Sequence, residues 1–294
     1  MKKTKLLLVL ASSTLLTACF NFGGGLKKVE FDEFATGLIS AVKNNEFAKK
    51  GAITSSKEGK IKGKIEIAQS LTSGSNTTSM GSTGYEITLD AKADINSQIL
   101  YVEMEMKMST EQQSASQKMK YQIQKGTDGN FVFIDIFKKA YSTSEIKDFN
   151  FFLDYVPGII GEIDFDKYLS ELKENEQFKK FSDYFTFSMN DKQFSIELDG
   201  EHEVKEDDKL IGKIKSNKSK IFVDLTDGNE SATANVDLVL SEIAQEEGMA
   251  GFGNGTYSYK AGDSFDITVK GEGTLSIANA DLSLTAVDIS SFAH

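Results

Sequence analysis

The sequence predicts an α+β protein that is mainly antiparallel β: a large curved meander or half-open barrel with an N-terminal helix and a mid-chain helical insertion. Three observations carry that prediction. Apolar residues alternate with polar ones through most of the chain, the period of strands with one buried and one wet face. Between residues 29 and 44 the apolar step lengthens to three and four, the stripe of an amphipathic helix. At about residues 148–185 an aromatic-rich stretch interrupts the alternation and returns to the helical period.

The chain opens on Lys2, Lys3 and Lys5, followed by the apolar run Leu6 to Leu16, broken only by Ser12, Ser13 and Thr14. A membrane span needs about 20 apolar residues, so this run is too short and reads as a signal peptide. It closes on Leu16, Thr17, Ala18 and Cys19, and all four positions resemble the bacterial lipobox. The resemblance implies a Cys19 thiol alkylated with diacylglycerol, cleavage before Cys19, and an exported chain lipid-anchored to a bacterial membrane, facing the cell surface or a periplasm. One fatty chain binds marginally and two hold stably, at about 0.8 kcal/mol per buried methylene, so a diacylglyceryl group is a sufficient anchor. Cys19 is the only cysteine, and no second thiol exists in the chain to pair with it. Gly23, Gly24 and Gly25 follow as a flexible tether. The predicted organisation is a leader over 1–18, the lipidated cysteine and tether over 19–28, and a single β-rich domain over 29–294.

Within that domain, Phe31, Phe34, Ala35, Leu38 and Val42 mark a helix from Val29 to about Asn44. Ile61, Gly63, Ile65 and Ile67 then alternate with Lys60, Lys62, Lys64 and Glu66. The Ser, Thr and Gly-rich stretch from Ser70 to Gly84 predicts a polar loop. Alternation resumes from Tyr85 to Ile95, turns at Asn96 and Ser97, and continues through Leu100, Val102, Met104, Met106 and Met108, then Met119, Tyr121 and Ile123. Phe131 to Phe137 is apolar at both parities, which predicts a strand covered on both sides. From Asp148 to Ile160 the aromatic-rich stretch is interrupted by Pro157 and Gly158, after which Asp164 or Asp166 opens a helix striped by Phe165, Tyr168, Leu169 and Leu172. Phe178, Phe181 and Phe185 extend or restart it. Alternation then runs from Phe185 to Leu282, Leu284 and Ala286, with turn residues between the runs. The glycines from Gly248 to Gly255 read as a mobile loop.

This element order resembles the half-open barrels of periplasmic lipoprotein carriers of the LolA type and of LppX-type lipoproteins. Those families wrap a curved sheet around helices and keep an apolar cavity for acyl chains. The resemblance implies a lipid or other apolar ligand.

Composition narrows the remaining choices. The formal charge is −11, and removing the three leader lysines takes it to −14, which disfavours nucleic acid as a partner. All 33 basic residues are lysine, so no site can use the bidentate geometry of arginine. His202 and His294 are the only histidines, which leaves little material for a Ser, His and Asp triad or for several imidazole ligands to a metal. His202 sits among Glu201, Glu203, Glu206, Asp207 and Asp208, which reads as a solvated acidic turn rather than a cation site. Ser144 with Lys147 and Ser170 with Lys173 match a Ser-x-x-Lys spacing, but the companion Ser-Asp-Asn and Lys-Thr-Gly elements are missing from the sequence. Met104, Met106 and Met108 put three thioethers on one strand face, about 6 to 7 Å apart. Thioethers suit Cu(I), a packed core face is the simpler account, and flexible methionines also line cavities for varied apolar ligands. The expectation is a non-enzymatic binding protein without cofactor or metal, anchored through Cys19, with Met104, Met106 and Met108 as the candidate apolar ligand cavity. An envelope hydrolase using an acidic pair and a structural or antigenic surface lipoprotein stay open as alternatives.

Overall fold

A computed structural model of the protein describes residues 25–175, 178, 182–206, 208–252 and 255–294. The leader, Cys19 and Phe181 lie outside the described residues. Alternating sequence becomes long antiparallel hairpins: β2 (Lys57–Ser73), β3 (Asn76–Asp94), β4 (Ile99–Thr110) and β5 (Ser114–Lys125) in the first half. The shorter β6 (Phe131–Asp135) and β7 (Ala140–Thr143) follow. The second half supplies β8 (Thr186–Met189), β9 (Gln193–Glu206), β10 (Lys209–Asp224), β11 (Asn229–Ile243) and β14 (Ser264–Asn279). With β1 (Lys27–Val29) they form one 12-stranded sheet in the order β1-β8-β9-β10-β11-β14-β2-β3-β4-β5-β6-β7. The edge strands β1 and β7 are not paired to each other, so the sheet stays open. The antiparallel β-rich class, the amino-terminal helix and the mid-chain helices therefore stand as the sequence predicts.

Three local expectations are corrected. Ser70 to Gly84 is no loop: β2 and β3 run through it and turn at Gly74 and Ser75, with Ser73 opposite Asn76. Gly74 takes φ +60°, the left-handed conformation a two-residue hairpin turn requires. Thr72 and Thr77 pair hydroxyl to hydroxyl at 3.2 Å, and β-branched threonine is at home in a strand whether or not apolar residues alternate with it. Second, Gly248 to Gly255 is a small separate hairpin, β12 (Gly248–Phe252) with β13 (Gly255–Tyr259), rather than a loop. Third, Leu282, Leu284 and Ala286 form no strand. That terminal segment is held by side chains instead: Gln122 donates to the Thr285 carbonyl at 3.0 Å, Gln124 to that of Val287 at 2.8 Å, and the Leu284 N–H to Asp94 at 2.9 Å.

The helices cover one end of one sheet face. α1 (Phe31–Asn44) lays Phe34 against Phe187 and Phe194, with ring centroids 5.2 and 5.8 Å apart. A 3₁₀ turn (Glu46–Ala48) follows. The insertion gives α2 (Asn150–Leu153), α3 (Tyr155–Glu162) and α4 (Phe165–Glu174). Asp164 caps α4, accepting the Lys167 N–H at 3.0 Å. Pro157 does not interrupt the helix as expected; it sits in the first turn of α3, where its missing N–H would have had no intrahelical partner. α4 runs antiparallel beside α1, with Lys43 to Asp166 at 3.5 Å and Lys173 to Asp32 at 3.0 Å.

The junction with the sheet is polar and specific. Asn45, buried after α1, donates from Nδ2 to the Leu225 carbonyl and to Asp227 and Glu230, at 3.3, 3.2 and 3.1 Å. Lys57 bonds Glu46 and Asn279. All these sheet residues lie where β10 and β14 end and where β2 and β11 begin, so the helices close one end of the sheet and leave the other bare. On β6, Phe131, Val132 and Ile134 are buried. Phe149 and Leu153 cover the Phe131 side. Gln122 and Gln124, opposite Ile134 and Val132, carry the terminal segment on the other side. Phe131, Val132 and Ile134 are thus covered on the two faces, as the two-sided apolar pattern predicts, but the strand ends at Asp135 and Phe133 and Phe137 stay exposed.

Candidate functional site

Residues directly opposite each other in an antiparallel ladder point to the same face. Following the register from β11 to β5, Ala234 lies opposite Gly273, Gly273 opposite Gly63, Gly63 opposite Ile87, Ile87 opposite Met106, and Met106 opposite Gln117. A second row runs Val236, Gly271, Ile65, Tyr85, Met108 and Ala115. Both rows belong to the inner face, on which α1 and α2 pack nearer the closed end. Together with Ile61 and Leu275 they line a cavity of about 690 Å³.

The sheet must curve to make it. β5 and β11 are five strand positions apart, about 24 Å in a flat sheet, yet both contribute walls to this one cavity. Curvature also explains why Ile65, Ala234, Val236 and Val269 are buried in a cluster to which no helical residue belongs: strands of the same face shelter one another. The floor is bare backbone. Gly63, Gly271 and Gly273 put no side chain on the inner face, which deepens the trough. A Cβ at Gly271 would stand 3.2 Å from the Lys64 carbonyl, and one at Gly63 would stand 3.4 Å from Ile87 Cγ2.

The outer face carries the charge. Lys107 lies opposite Glu86, Glu86 opposite Lys64, and Lys64 opposite Glu272, with Lys107 Nζ 3.5 Å from Glu86. Glu86 and Glu272, the two acids bordering the cavity, thus each face a lysine across the ladder. Nearby, the Lys118 ammonium holds the Glu105 carboxyl below the ordinary carboxylate range, and the Tyr101 hydroxyl followed by Lys120 does the same for Glu103 against the opposing pull of burial. The trough is accordingly apolar on its inner walls and ringed on its outside by neutralised charge.

Of the residues singled out from the sequence, Met106 and Met108 stand on the cavity wall. Met104 shares their face, paired with Leu89 and Met119, but lies beyond the wall toward the helices. Cys19 falls outside the described residues. His202 sits inside β9 and not in a turn, stacked on Tyr184 at 4.6 Å with Nε2 2.8 Å from the Asp199 carbonyl. Among the described residues no three His, Cys, Asp or Glu side chains converge as a metal site. The Ser144 hydroxyl donates to the Phe131 carbonyl at 2.7 Å, a structural use. Sequence reasoning missed Ala115, Ala234, Gly271 and Gly273, which come from strands remote along the chain. A signal existed: Gly59 and Gly63, like Gly271 and Gly273, occupy inner-face positions where alternation calls for bulk.

The fold and the trough define a class, an open antiparallel sheet curved around an apolar cavity and closed at one end by helices. Neither a protein-family model nor a curated protein matches this chain.

Proposed function

We propose that this is an exported lipoprotein, anchored to a bacterial membrane through acyl chains on Cys19, whose domain binds an apolar ligand without transforming it. The observation that carries the ligand half is the trough: about 690 Å³, within the ordinary 300–1,000 Å³ range for small-molecule sites. Its inner walls are Ile, Val, Leu, Ala and Met with Tyr85 and Gln117, over a glycine floor. Met106 and Met108 add adaptable thioether side chains, which suit ligands of varied shape. The anchor half is supported by the lipobox resemblance at Leu16 to Cys19. No helix among the described residues is long and apolar enough to cross a membrane, and a lipid anchor needs none.

The two halves are tested separately. Cys19→Ala abolishes fatty-acid labelling and leader release; persistent labelling contradicts the anchor. Native mass spectrometry of the purified protein, with analysis of its organic extract, finds a co-purifying lipid or other apolar compound, and consistently empty protein contradicts the ligand reading.

A further inference from the structure

Six of the twelve exposed large apolar side chains among the described residues fall within one 22-residue stretch: Phe151, Tyr155, Ile159, Ile163, Tyr168 and Leu172. They are not scattered. Phe151, Tyr155 and Ile159 recur every four residues along α2 and α3, joined through Asp154, whose dihedrals stay in the right-handed helical region, and Ile163 follows at the extended C-cap of α3. Tyr168 and Leu172 repeat the step on α4. Residues four apart share one helix face, so the helices at the closed end of the sheet carry apolar stripes turned to solvent. Tyr155 and Tyr168 are each 64% exposed.

We propose that this helical face rests on the lipid surface to which Cys19 is anchored. The proposal rests on that anchor reading. Six Cα-to-Cα steps separate Cys19 from Gly25, the first described residue of this segment, a span of at most about 22 Å. β1 and α1 follow at once, and α4 lies along α1 with Lys173 on Asp32 at the α1 start. The tether therefore emerges beside the helices, and its shortness keeps that end of the domain at the bilayer. The opposite end lies beyond β11, whose 15 residues extend about 50 Å. Tyrosine with Ile and Leu suits the headgroup boundary, where apolar area and a polar tip are both satisfied. Asp154, Glu162, Asp164, Asp166, Glu171 and Glu174 outnumber Lys167 and Lys173 here, so the favoured surface is zwitterionic, and anionic lipid repels it. Docked in this way, the helices face lipid while the open end of the trough points away from the membrane.

The chain contains no tryptophan, so each introduced Trp reports alone. Full-length lipidated protein carrying Tyr155→Trp, Tyr168→Trp or Met249→Trp is bound to vesicles of brominated phosphatidylcholine. Met249, 71% exposed, stands on the β12–β13 hairpin beyond β11. All three positions are exposed, so folding is undisturbed. The expected result is quenching roughly threefold stronger at Tyr155→Trp and Tyr168→Trp than at Met249→Trp. Adding Ile159→Ser or phosphatidylglycerol reduces that difference. Vesicle-bound, acylated protein with equal quenching at the three positions overturns the docked face and leaves the anchor intact. Protein that carries no acyl mass and does not float with vesicles overturns the anchor, and the docked face with it. Quenching that needs other envelope proteins overturns lipid as the occupant.

Discussion

The inner face of this sheet has two regions built from the same apolar alternation. Near the closed end, Phe194 is 1% exposed beneath Phe34 of α1 and beside Phe187 of β8. Farther along the same face, Tyr85 and Met108 are 43% and 45% exposed and no helix lies over them. The difference shows that periodicity selects which face avoids water, while the covering element decides whether that face becomes core or cavity. At the closed end, Phe34, Phe187 and Phe194 are buried among partly buried neighbours and contribute stability. In the middle, the same residue types leave room for something else to complete the burial.

Truncations at the two sites test this contrast most directly. Phe194→Ala removes a fully buried ring and costs about 3–5 kcal/mol, read as a fall in the urea midpoint. Met108→Ala, on the open wall, costs under about 1 kcal/mol. Equal losses at the two sites erase the distinction between core and trough.

The next effect is at the outer face, where Asp94 holds the terminal segment. Its fully buried carboxylate accepts N–H groups of Asn96 at 3.0 Å, Ser97 at 3.3 Å and Leu284 at 2.9 Å. Burial pushes this carboxyl up, but the Ser97 side chain and these N–H donors outweigh it, so its pKa lies below the ordinary value of 3.8. Asp94→Ala costs about 1–3 kcal/mol, the usual result of leaving buried donors unpaired, and speeds proteolysis within residues 280–294. Because the folded pKa is depressed, the Asp94 contribution is full above the unfolded value of about 3.9 and is lost as pH falls through the folded value. Protection of the segment in the wild type therefore drops in acid below about pH 4, and Asp94→Ala lacks that step.

Smaller still are the effects expected on stability from the trough itself. Met108→Lys places a charge on the apolar wall, lowering apolar-dye affinity about tenfold while leaving stability within about 0.5 kcal/mol. Lys118→Ala, on the charged outer face and outside the cavity lining, leaves both dye affinity and the urea midpoint unchanged. A loss of dye binding there would place the site on the wrong side of the sheet.

The antiparallel class, the α1 stripe, an aspartate cap at Asp164 or Asp166, and the burial of Phe131, Val132 and Ile134 were legible because each depends on residues close in sequence. The Thr and Ser pairing that carries β2 into β3 was not, since hydrophobic alternation is silent where both parities are polar. Leu282, Leu284 and Ala286 gave the opposite error: they alternate, but Gln122, Gln124 and Asp94 take the backbone groups that a ladder would use. Of the trough wall, the sequence singled out Met106 and Met108, together with Met104, which lies beyond it. The rest depends on curvature bringing Ala115 and Ala234 to one cavity, a long-range property that no local pattern encodes. The inner-face glycines were its nearest trace in the sequence.

The most direct test of the account pairs wild type with Met108→Lys in native mass spectrometry of the intact protein and chromatography of its organic extract. The account predicts an apolar compound carried by the wild type and depleted about tenfold in the variant at equal stability. An empty wild type, or a ligand retained equally by both, would contradict it.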